Sequence, residues 1–295
     1  MLSETEKAEK NRKKEEGKKR AKEVAIQRRQ QAYINTPDGD LTQIRSPREG
    51  RHGARNQHRH KDMARWLLRV FPHLETSNRS SEAEPIGIDS DLLNPGDNEL
   101  HVSSHVAQSV LDVAGGKGEL AARLSICHKL SVVMVDPREA DVVKCFDQII
   151  LPKLPNKWQK RLMMQKEKNP NFTEHLIQER FRQLVMNFSE EDVESSPDLR
   201  AAVQGATLLV GMHADGATEA IVNVALKYGK PFVVVPCCVF PNLFTKRELI
   251  EVDGSRVPVR THDQFCRYLA QKDSRFVMEV LPFEGRNIGI WWAGP

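Results

Sequence analysis

The feature that most constrains this chain is an apolar run that ends in a cluster of glycines. Residues 110–113 are apolar apart from Asp112, and such a run predicts a buried strand. The glycines of the turn that follows are Gly115, Gly116 and Gly118. Beyond them, apolar residues recur at helical spacing, at Leu120, Ala121, Leu124 and Cys127. A strand, a glycine turn and a helix in this order form the ligand pocket of doubly wound α/β sheets, because glycine allows close approach of the backbone.

A second predicted strand, residues 131–136, ends in a carboxylate about 20 residues after the glycine turn. In a strand–helix–strand unit of this length, such an acid can accept hydrogen bonds from the two hydroxyls of a ribose. Asp136 is also compatible with a simple turn, because Pro137 follows it.

Asp112 lies three residues before the glycines, and the resulting pattern D-x-x-G-G-x-G resembles the first motif of class I S-adenosylmethionine-dependent methyltransferases. The spacing differs from the G-x-G-x-x-G of NAD enzymes. The resemblance implies an α/β fold of the Rossmann-like methyltransferase type, with a doubly wound, seven-stranded, mostly parallel sheet. It also implies that the chain binds S-adenosylmethionine, with the methionine part of the cofactor held by the glycine turn.

Seven residues are the cofactor contacts that this resemblance implies: Asp112, Ala114, Gly115, Gly116, Gly118, Asp136 and Ser189. Ser189 follows a predicted third strand at Leu184–Phe188, where the family often packs the adenine. The acid that the family frequently has at this point is absent here, or displaced to Glu190 or Glu191.

Two further segments, residues 213–219 (HADGATE) and 236–238 (PCC), restrict the resemblance to one branch of these methyltransferases. They follow the predicted fourth and fifth strands, Ala206–Met212 and Pro231–Val235. They are similar to loops of a methyltransferase branch that includes tRNA 2′-O-methyltransferases, where one loop reads H-x-C-G-x-x-T-D and the fifth strand ends in Cys-Cys. The chain has Asp215 where that pattern has cysteine, and Val239 where a histidine can follow the cysteines.

His213 and Asp215 are the predicted catalytic residues, because a hydroxyl acceptor must be positioned and must lose a proton. The alternative is that both are cap or turn residues of the helix that follows, which is predicted to end at Gly229. Cys237 and Cys238 could ligate zinc with His213, but adjacent cysteines are poor chelate spacing. We therefore expect no metal, and two small buried side chains.

Charge is distributed unevenly along the 295 residues. Residues 1–61 contain 17 Lys+Arg and 9 Asp+Glu, whereas the remainder contains 27 and 31. Residues 1–56 carry few large apolar side chains, so we expect a basic tail, disordered or helical, ahead of a methyltransferase domain at 57–295. A basic tail suits a polyanion such as RNA, and a solubilising tail without a specific partner explains it equally well.

Helices are predicted on both sides of the two motifs. Ahead of the first strand, the apolar face of one predicted helix consists of Met63, Trp66, Leu67, Val70 and Phe71. This helix would bring Arg59 and His60 to the mouth of the pocket, and the alternative for each of the two is a surface charge at a helix start. Residues 138–182 form a predicted helical insertion in which basic side chains surround Trp158. This insertion either contacts RNA and stacks a base, or is a solvated helix with one buried tryptophan. A later helix around Phe265 and a terminal hairpin at 276–292 complete the domain.

The composition of the chain limits where it can function and which kinds of function it can have. No run of about 18 apolar residues and no secretory signal is present, so we expect no membrane contact. The five cysteines, an odd number, fit an intracellular, reducing compartment, cytoplasm or nucleus. The leading hypothesis is an S-adenosylmethionine-dependent methyltransferase that acts on RNA, with tRNA suggested by the branch resemblance. The alternatives are a catalytically degenerate binding protein of the same fold, and a methyltransferase for proteins or small molecules.

Overall fold

The computed structural model describes residues 58–74, 109–178 and 180–295. Within these ranges seven strands form one sheet and two more form a separate ribbon. The strands of the sheet are β1 (Ser109–Val113), β2 (Ser131–Val135), β3 (Phe181–Leu184), β4 (Ala206–Met212), β5 (Phe232–Val235), β8 (Val277–Val280) and β9 (Ile288–Trp292). The ribbon consists of β6 (Glu248–Ile250) and β7 (Arg256–Pro258).

The order of the sheet is β3-β2-β1-β4-β5-β9-β8. Strands β1 to β5 are parallel, and β9 is antiparallel to both of its neighbours. The chain runs outward from β1 to β3 and then returns to place β4 on the other side of β1. The predicted fold class, a doubly wound, mostly parallel α/β sheet of the Rossmann-like type, is confirmed. Its topological switch point lies between β1 and β4, where ligands bind at the carboxyl ends of the strands.

Helices cover both faces of the sheet in the described ranges. They are α1 (Arg59–Val70), α2 (Glu119–Ala122), α3 (Val142–Cys145), α4 (Asn156–Lys168), α5 (Phe172–Ile177), α6 (Glu190–Ser195), α7 (Pro197–Gly205), α8 (Thr218–Tyr228) and α9 (His262–Ala270). Two of them, α2 and α3, continue into single π-helical turns at Arg123–Cys127 and Phe146–Ile150. None of the helices in these ranges has the length and apolar composition needed to cross a bilayer.

Helix α1 is fastened to the far end of the chain through Trp66. The side chain of Trp66 is 1% exposed, and its Nε1–H donates to Oε1 of Glu279 on β8 at 2.7 Å. Its ring also meets Phe71 and Trp291 edge to face, with centroids 6.2 and 6.0 Å away. Helix α1 is therefore an integral part of the domain, held by apolar burial and one hydrogen bond across the sheet.

The predicted third strand, Leu184–Phe188, was wrong in position. The observed strand β3 is Phe181–Leu184, and its residues pair with Val132–Val135 of β2. The chain turns after Leu184, where Met186 N–H donates to the Leu184 carbonyl, and the side chain of Val185 is 57% exposed. Because β3 is an edge strand with little burial, its sequence lacks the continuous apolar run that marks a central parallel strand.

Base stacking by Trp158 is also not supported by the observed packing. The Trp158 side chain is 4% exposed and belongs to an apolar cluster between α2, α3, α4 and α5. The alternative of a helix with one buried tryptophan is therefore the observed one. The predicted tail, residues 1–56, lies outside the described residues.

We predict that Trp66→Ala lowers the free energy of unfolding by about 3–5 kcal/mol, because a fully buried aromatic side chain leaves a cavity. Trp66→Phe should cost less, since it keeps most of the apolar area and loses the bond to Glu279. Urea unfolding measures both. Arg69→Ala, at an exposed position of the same helix, should change stability by less than about 0.5 kcal/mol. Equal stabilities of the three variants would contradict the docking of α1.

Candidate functional site

The glycine turn contains one glycine that faces open space and two that are required by packing. A Cβ at Gly115 would lie 2.6 Å from Sδ of Met134, and a Cβ at Gly118 would lie 2.7 Å from Cγ2 of Val142. Gly116 has φ +62°, and a Cβ there would meet no atom within 4 Å. Space for a ligand is therefore available beside Gly116. Gly115 and Gly118 instead allow the turn to approach the second strand and α3.

Asp136 holds this turn in place from the end of β2. Its side chain is 1% exposed, and Oδ2 accepts a hydrogen bond from the N–H of Gly116 at 2.9 Å. Arg138 covers the same carboxylate, with its N–H at 2.9 Å and its Nε at 3.1 Å from Oδ1. Burial opposes ionisation, but the hydrogen bonds from Arg138 and Gly116 outweigh it and lower the pKa of Asp136 below its ordinary value.

Asp112 is the opposite case, a buried carboxyl whose charge is not compensated. It is 1% exposed, and Oδ2 has no hydrogen-bond partner among the described residues. Burial, and to a smaller extent the charge of Asp136, raise the pKa of Asp112 to about 7. A cationic group that reached this part of the turn would therefore be attracted to it.

Two backbone positions at the end of β4 have left-handed conformations, His213 with φ +59° and Asp215 with φ +46°. Nδ1 of His213 is buried without a hydrogen-bond partner in the described part of the chain. Burial, with smaller contributions from the positive charges of Arg59 and His60, lowers the pKa of His213 to about 4. This histidine is consequently neutral at physiological pH and able to accept a hydrogen bond.

The carboxylate of Asp215 is exposed and lies beside the cysteine pair that follows β5. Sγ of Cys237 donates to its Oδ1 at 3.0 Å, and the two cysteine sulfurs are 3.6 Å apart. Burial and the bond to Asp215 raise the pKa of the Cys237 thiol. The three donor groups lie within 4.8 Å of one another, which is one ligand fewer than a tetrahedral structural zinc site requires.

Helix α1 places His60 beside the start of the helix that follows the glycine turn. Nδ1 of His60 lies 2.9 Å from Oε2 of Glu119, the first residue of α2. Burial opposes ionisation of Glu119, but hydrogen bonds from His60 and Arg123 lower its pKa to about 2. The electrostatic effect of Arg59 and His60 on His213 indicates that all three lie around one crevice.

Ser189, a predicted cofactor contact, and Glu219, a residue of the 213–219 segment, both have structural partners in the described chain. The hydroxyl of Ser189 caps α6, because it accepts from the N–H of Asp192 at 3.0 Å and donates to Oδ2 of Asp192. Its adenine contact stays a prediction. Glu219, part of the resemblance at 213–219, bonds with Arg247, Tyr268 and Lys272, so it joins α8 to the C-terminal part of the domain.

Sequence reasoning missed Arg138 and His262. The guanidinium of Arg138 is positioned by Asp136, to which its Nε donates at 3.1 Å. Its position two residues after Asp136 was the available signal. His262, the first residue of α9, has Nε2 2.9 Å from the Pro236 carbonyl. No local pattern places that helix beside the end of β5.

Comparisons with known proteins do not identify a family. No protein-family model and no curated protein matches the chain. Similar solved structures are those of the methyltransferase CalO6 (TM-score 0.31, 16% identity, 62% of this chain and 56% of that one), the methyltransferase domain of bacterial CtHen1 (0.31, 15%, 63% and 91%) and the S-adenosylmethionine-dependent methyltransferase SibL in its apo form (0.32, 13%, 78% and 55%). The matches span a little over half of CalO6 and SibL. Likeness at this level carries no argument about activity, so any function must be argued from the site.

We predict that Asp112→Asn becomes more stable relative to the parent as the pH rises from about 4 to about 7. The folded state holds the Asp112 proton up to its raised pKa, whereas the unfolded chain releases it near pH 3.8. The parent therefore loses stability through this window, and the variant, which carries no titrating group there, does not. Urea unfolding at both ends of the window measures the difference. A variant that loses stability at high pH would indicate a partner for the carboxylate.

Proposed function

We propose that the chain is an S-adenosylmethionine-dependent methyltransferase and that its acceptor is RNA. The observation that carries the proposal is the juxtaposition of Asp136 and Gly116 at the switch point of the sheet, with open space beside the glycine. A strand-end acid and a glycine turn in this arrangement suit a ligand that contains a ribose.

The described residues fit this cofactor in two further respects. Asp112 is a buried carboxyl with an unpartnered oxygen next to the turn, and S-adenosylmethionine carries an ammonium group and a sulfonium group. Arg138 is the residue that covers Asp136, and its side chain is 78% exposed. Because the guanidinium lies at the surface, a ribose that approaches from solvent can take its place on the carboxylate.

The end of β4 supplies the groups that would face a methyl acceptor. S-adenosylmethionine supplies an activated methyl group, so the chain has to position the acceptor and receive its proton. His213 is neutral because of its low pKa and has an unpartnered nitrogen, and Asp215 offers an exposed carboxylate. Both can accept a hydrogen bond from a hydroxyl or an amine.

Charge supports RNA as the acceptor class. The basic excess in residues 1–61 and the exposed lysines of α4, Lys157, Lys160 and Lys168, suit a polyanion. The similarity of residues 213–219 and 236–238 to loops of tRNA 2′-O-methyltransferases makes tRNA the first substrate to test.

Transfer of a labelled methyl group from S-adenosylmethionine to total RNA tests the function, and Gly116→Val supplies its negative control. We predict that Gly116→Val abolishes labelling and cofactor binding, because its side chain fills the space beside the turn. Gly254→Val is the matched control, since Gly254 also has a positive φ, +82°, and open space, but lies between β6 and β7. Both variants bear the same kind of backbone strain, so only the site should distinguish them.

The same assay separates the alternatives. Cofactor binding without any transfer would indicate a binding protein, and labelling of a protein extract in place of RNA would indicate a protein methyltransferase. Unchanged cofactor affinity in folded Gly116→Val would remove this site from consideration.

We predict that Asp136→Ala weakens S-adenosylmethionine binding about tenfold to a hundredfold, because a charged partner of two hydroxyls contributes about 1.5–3 kcal/mol. Asp136→Asn should lose less, since its amide oxygen still accepts one bond. Calorimetry gives the affinities, and thermal unfolding shows whether the turn survives. Normal affinity with a lowered melting temperature would mean that Asp136 only holds the turn.

A further inference from the structure

A cationic cleft lies between α1, the π-helical turn that follows α2 and the segment at residues 153–155. It is open to solvent. Its lining consists of His58, Lys61, Arg65, Arg123, Cys127, His128, Lys153, Leu154 and Pro155. Four of these side chains are Lys or Arg and two are His, and the lining from the described ranges includes no carboxylate.

The walls of the cleft come from three elements. Lys61 and Arg65 are one helical turn apart on α1, and Arg123 and Cys127 are one turn apart at the end of the helix that follows the glycine turn. The third wall is the short segment before α4, which Gln159 fixes by donating hydrogen bonds to the carbonyls of Pro152 and Leu154. The cleft is thus built from held parts of the fold.

The positive charge of the cleft is only partly balanced. Arg123 is 5% exposed, and its Nη2 donates to Oε1 of Glu119 at 2.8 Å. Lys61 and Lys153 form no ion pair with a described residue, and Asp62 is the acid whose charge acts on Lys61. Cys127 does not offset the charge, because burial raises the pKa of its thiol to about 11.

The repulsion between these cations contributes to the lowered pKa values of Lys61 and His58. Burial, followed by the charges of Arg65 and Arg123, lowers the pKa of Lys61. Burial, followed by the charge of Lys61, also lowers the pKa of His58. An anion in the cleft would relieve this repulsion and would be held by several donors at once.

The cleft is connected to the candidate active site through Glu119. The carboxylate of Glu119 contacts Arg123, on the cleft side, and His60, on the side of His213. Glu119 therefore links the cleft to the start of α1, whose Arg59 and His60 act electrostatically on His213.

We propose that this cleft binds a backbone phosphate of the RNA acceptor. The inference rests on the proposed RNA substrate and adds to it a named contact, with Lys61 and Lys153 as the direct phosphate ligands and Arg123 as the fixed cation behind them. A phosphate contact of this kind orients the strand and carries no sequence information.

The test is the salt dependence of RNA binding by the full chain. A labelled single-stranded RNA is titrated with the parent protein and with the double variant Lys61→Ala/Lys153→Ala at several salt concentrations. We expect the double variant to bind about tenfold more weakly or worse. The slope of log affinity against log salt should fall by about 0.7 for the lost phosphate. Affinity for S-adenosylmethionine, measured by calorimetry, should not change.

The matched control is Lys144→Ala/Lys246→Ala, which removes two charges from exposed positions that do not line the cleft. An equal loss in both double variants would mean that only net charge matters, and the proposal would be wrong. It would also be wrong if the cleft variant lost stabilisation by inorganic phosphate but kept its RNA affinity and slope, because the cleft would then bind a free anion.

Failure of the cleft and failure of the proposed function give different results. If the parent methylates RNA and the cleft variant binds RNA with an unchanged slope, the cleft proposal alone is wrong. If the parent binds RNA with the expected difference between variants but transfers no methyl group, the cleft proposal stands and the activity is wrong. A parent that does not bind RNA overturns both.

Discussion

The hydrogen bond from Gly116 N–H to Asp136 joins the two motifs on which the whole site depends. The residues are 20 apart in sequence and 2.9 Å apart in space. Parallel pairing of β1 with β2 produces this contact, because Val113 lies opposite Val135 and the next residues of both strands leave the sheet at the same edge. Without that register, the glycine turn and the strand-end acid would have no common crevice to line.

Helix α1 connects the candidate site to the C-terminal part of the domain. At one end Trp66 bonds to Glu279, 213 residues away, and at the other end His60 bonds to Glu119 beside the glycine turn. Burial is the main cause of the low pKa of His213, and the charges of Arg59 and His60 that add to it come from a helix anchored by the C-terminal hairpin. Loosening that anchor would change the electrostatics of the site without touching any residue that lines it.

Hydrogen-bond donors and cations nearby determine which buried groups of the site carry charge. Asp136 and Glu119 remain ionised because N–H and cationic donors surround them, although burial opposes this. Asp112 and His213 are buried with an unpartnered polar atom, and their pKa values move toward the neutral form. The crevice thus offers a charged carboxylate at the end of β2 and a neutral histidine at the end of β4. Under the proposed function, the carboxylate would bind the ribose and the histidine would accept a proton.

Local signals in the sequence were sufficient to predict most strands of the sheet and the order in which the candidate site residues follow them. The first, second and fourth strands and the stop at Gly229 follow from apolar runs and a left-handed cap, which depend on neighbours a few residues apart. Tertiary structure alone decided the position of β3, the burial of Trp158, the cover that Arg138 gives to Asp136, and the cleft between residues 58 and 155. Tertiary structure also gave the three glycines of the turn different roles. Packing against Met134 and Val142 requires two of them, and the third, Gly116, faces open space. Each of these outcomes depends on atoms far apart in the chain, which hydrophobic periodicity does not encode.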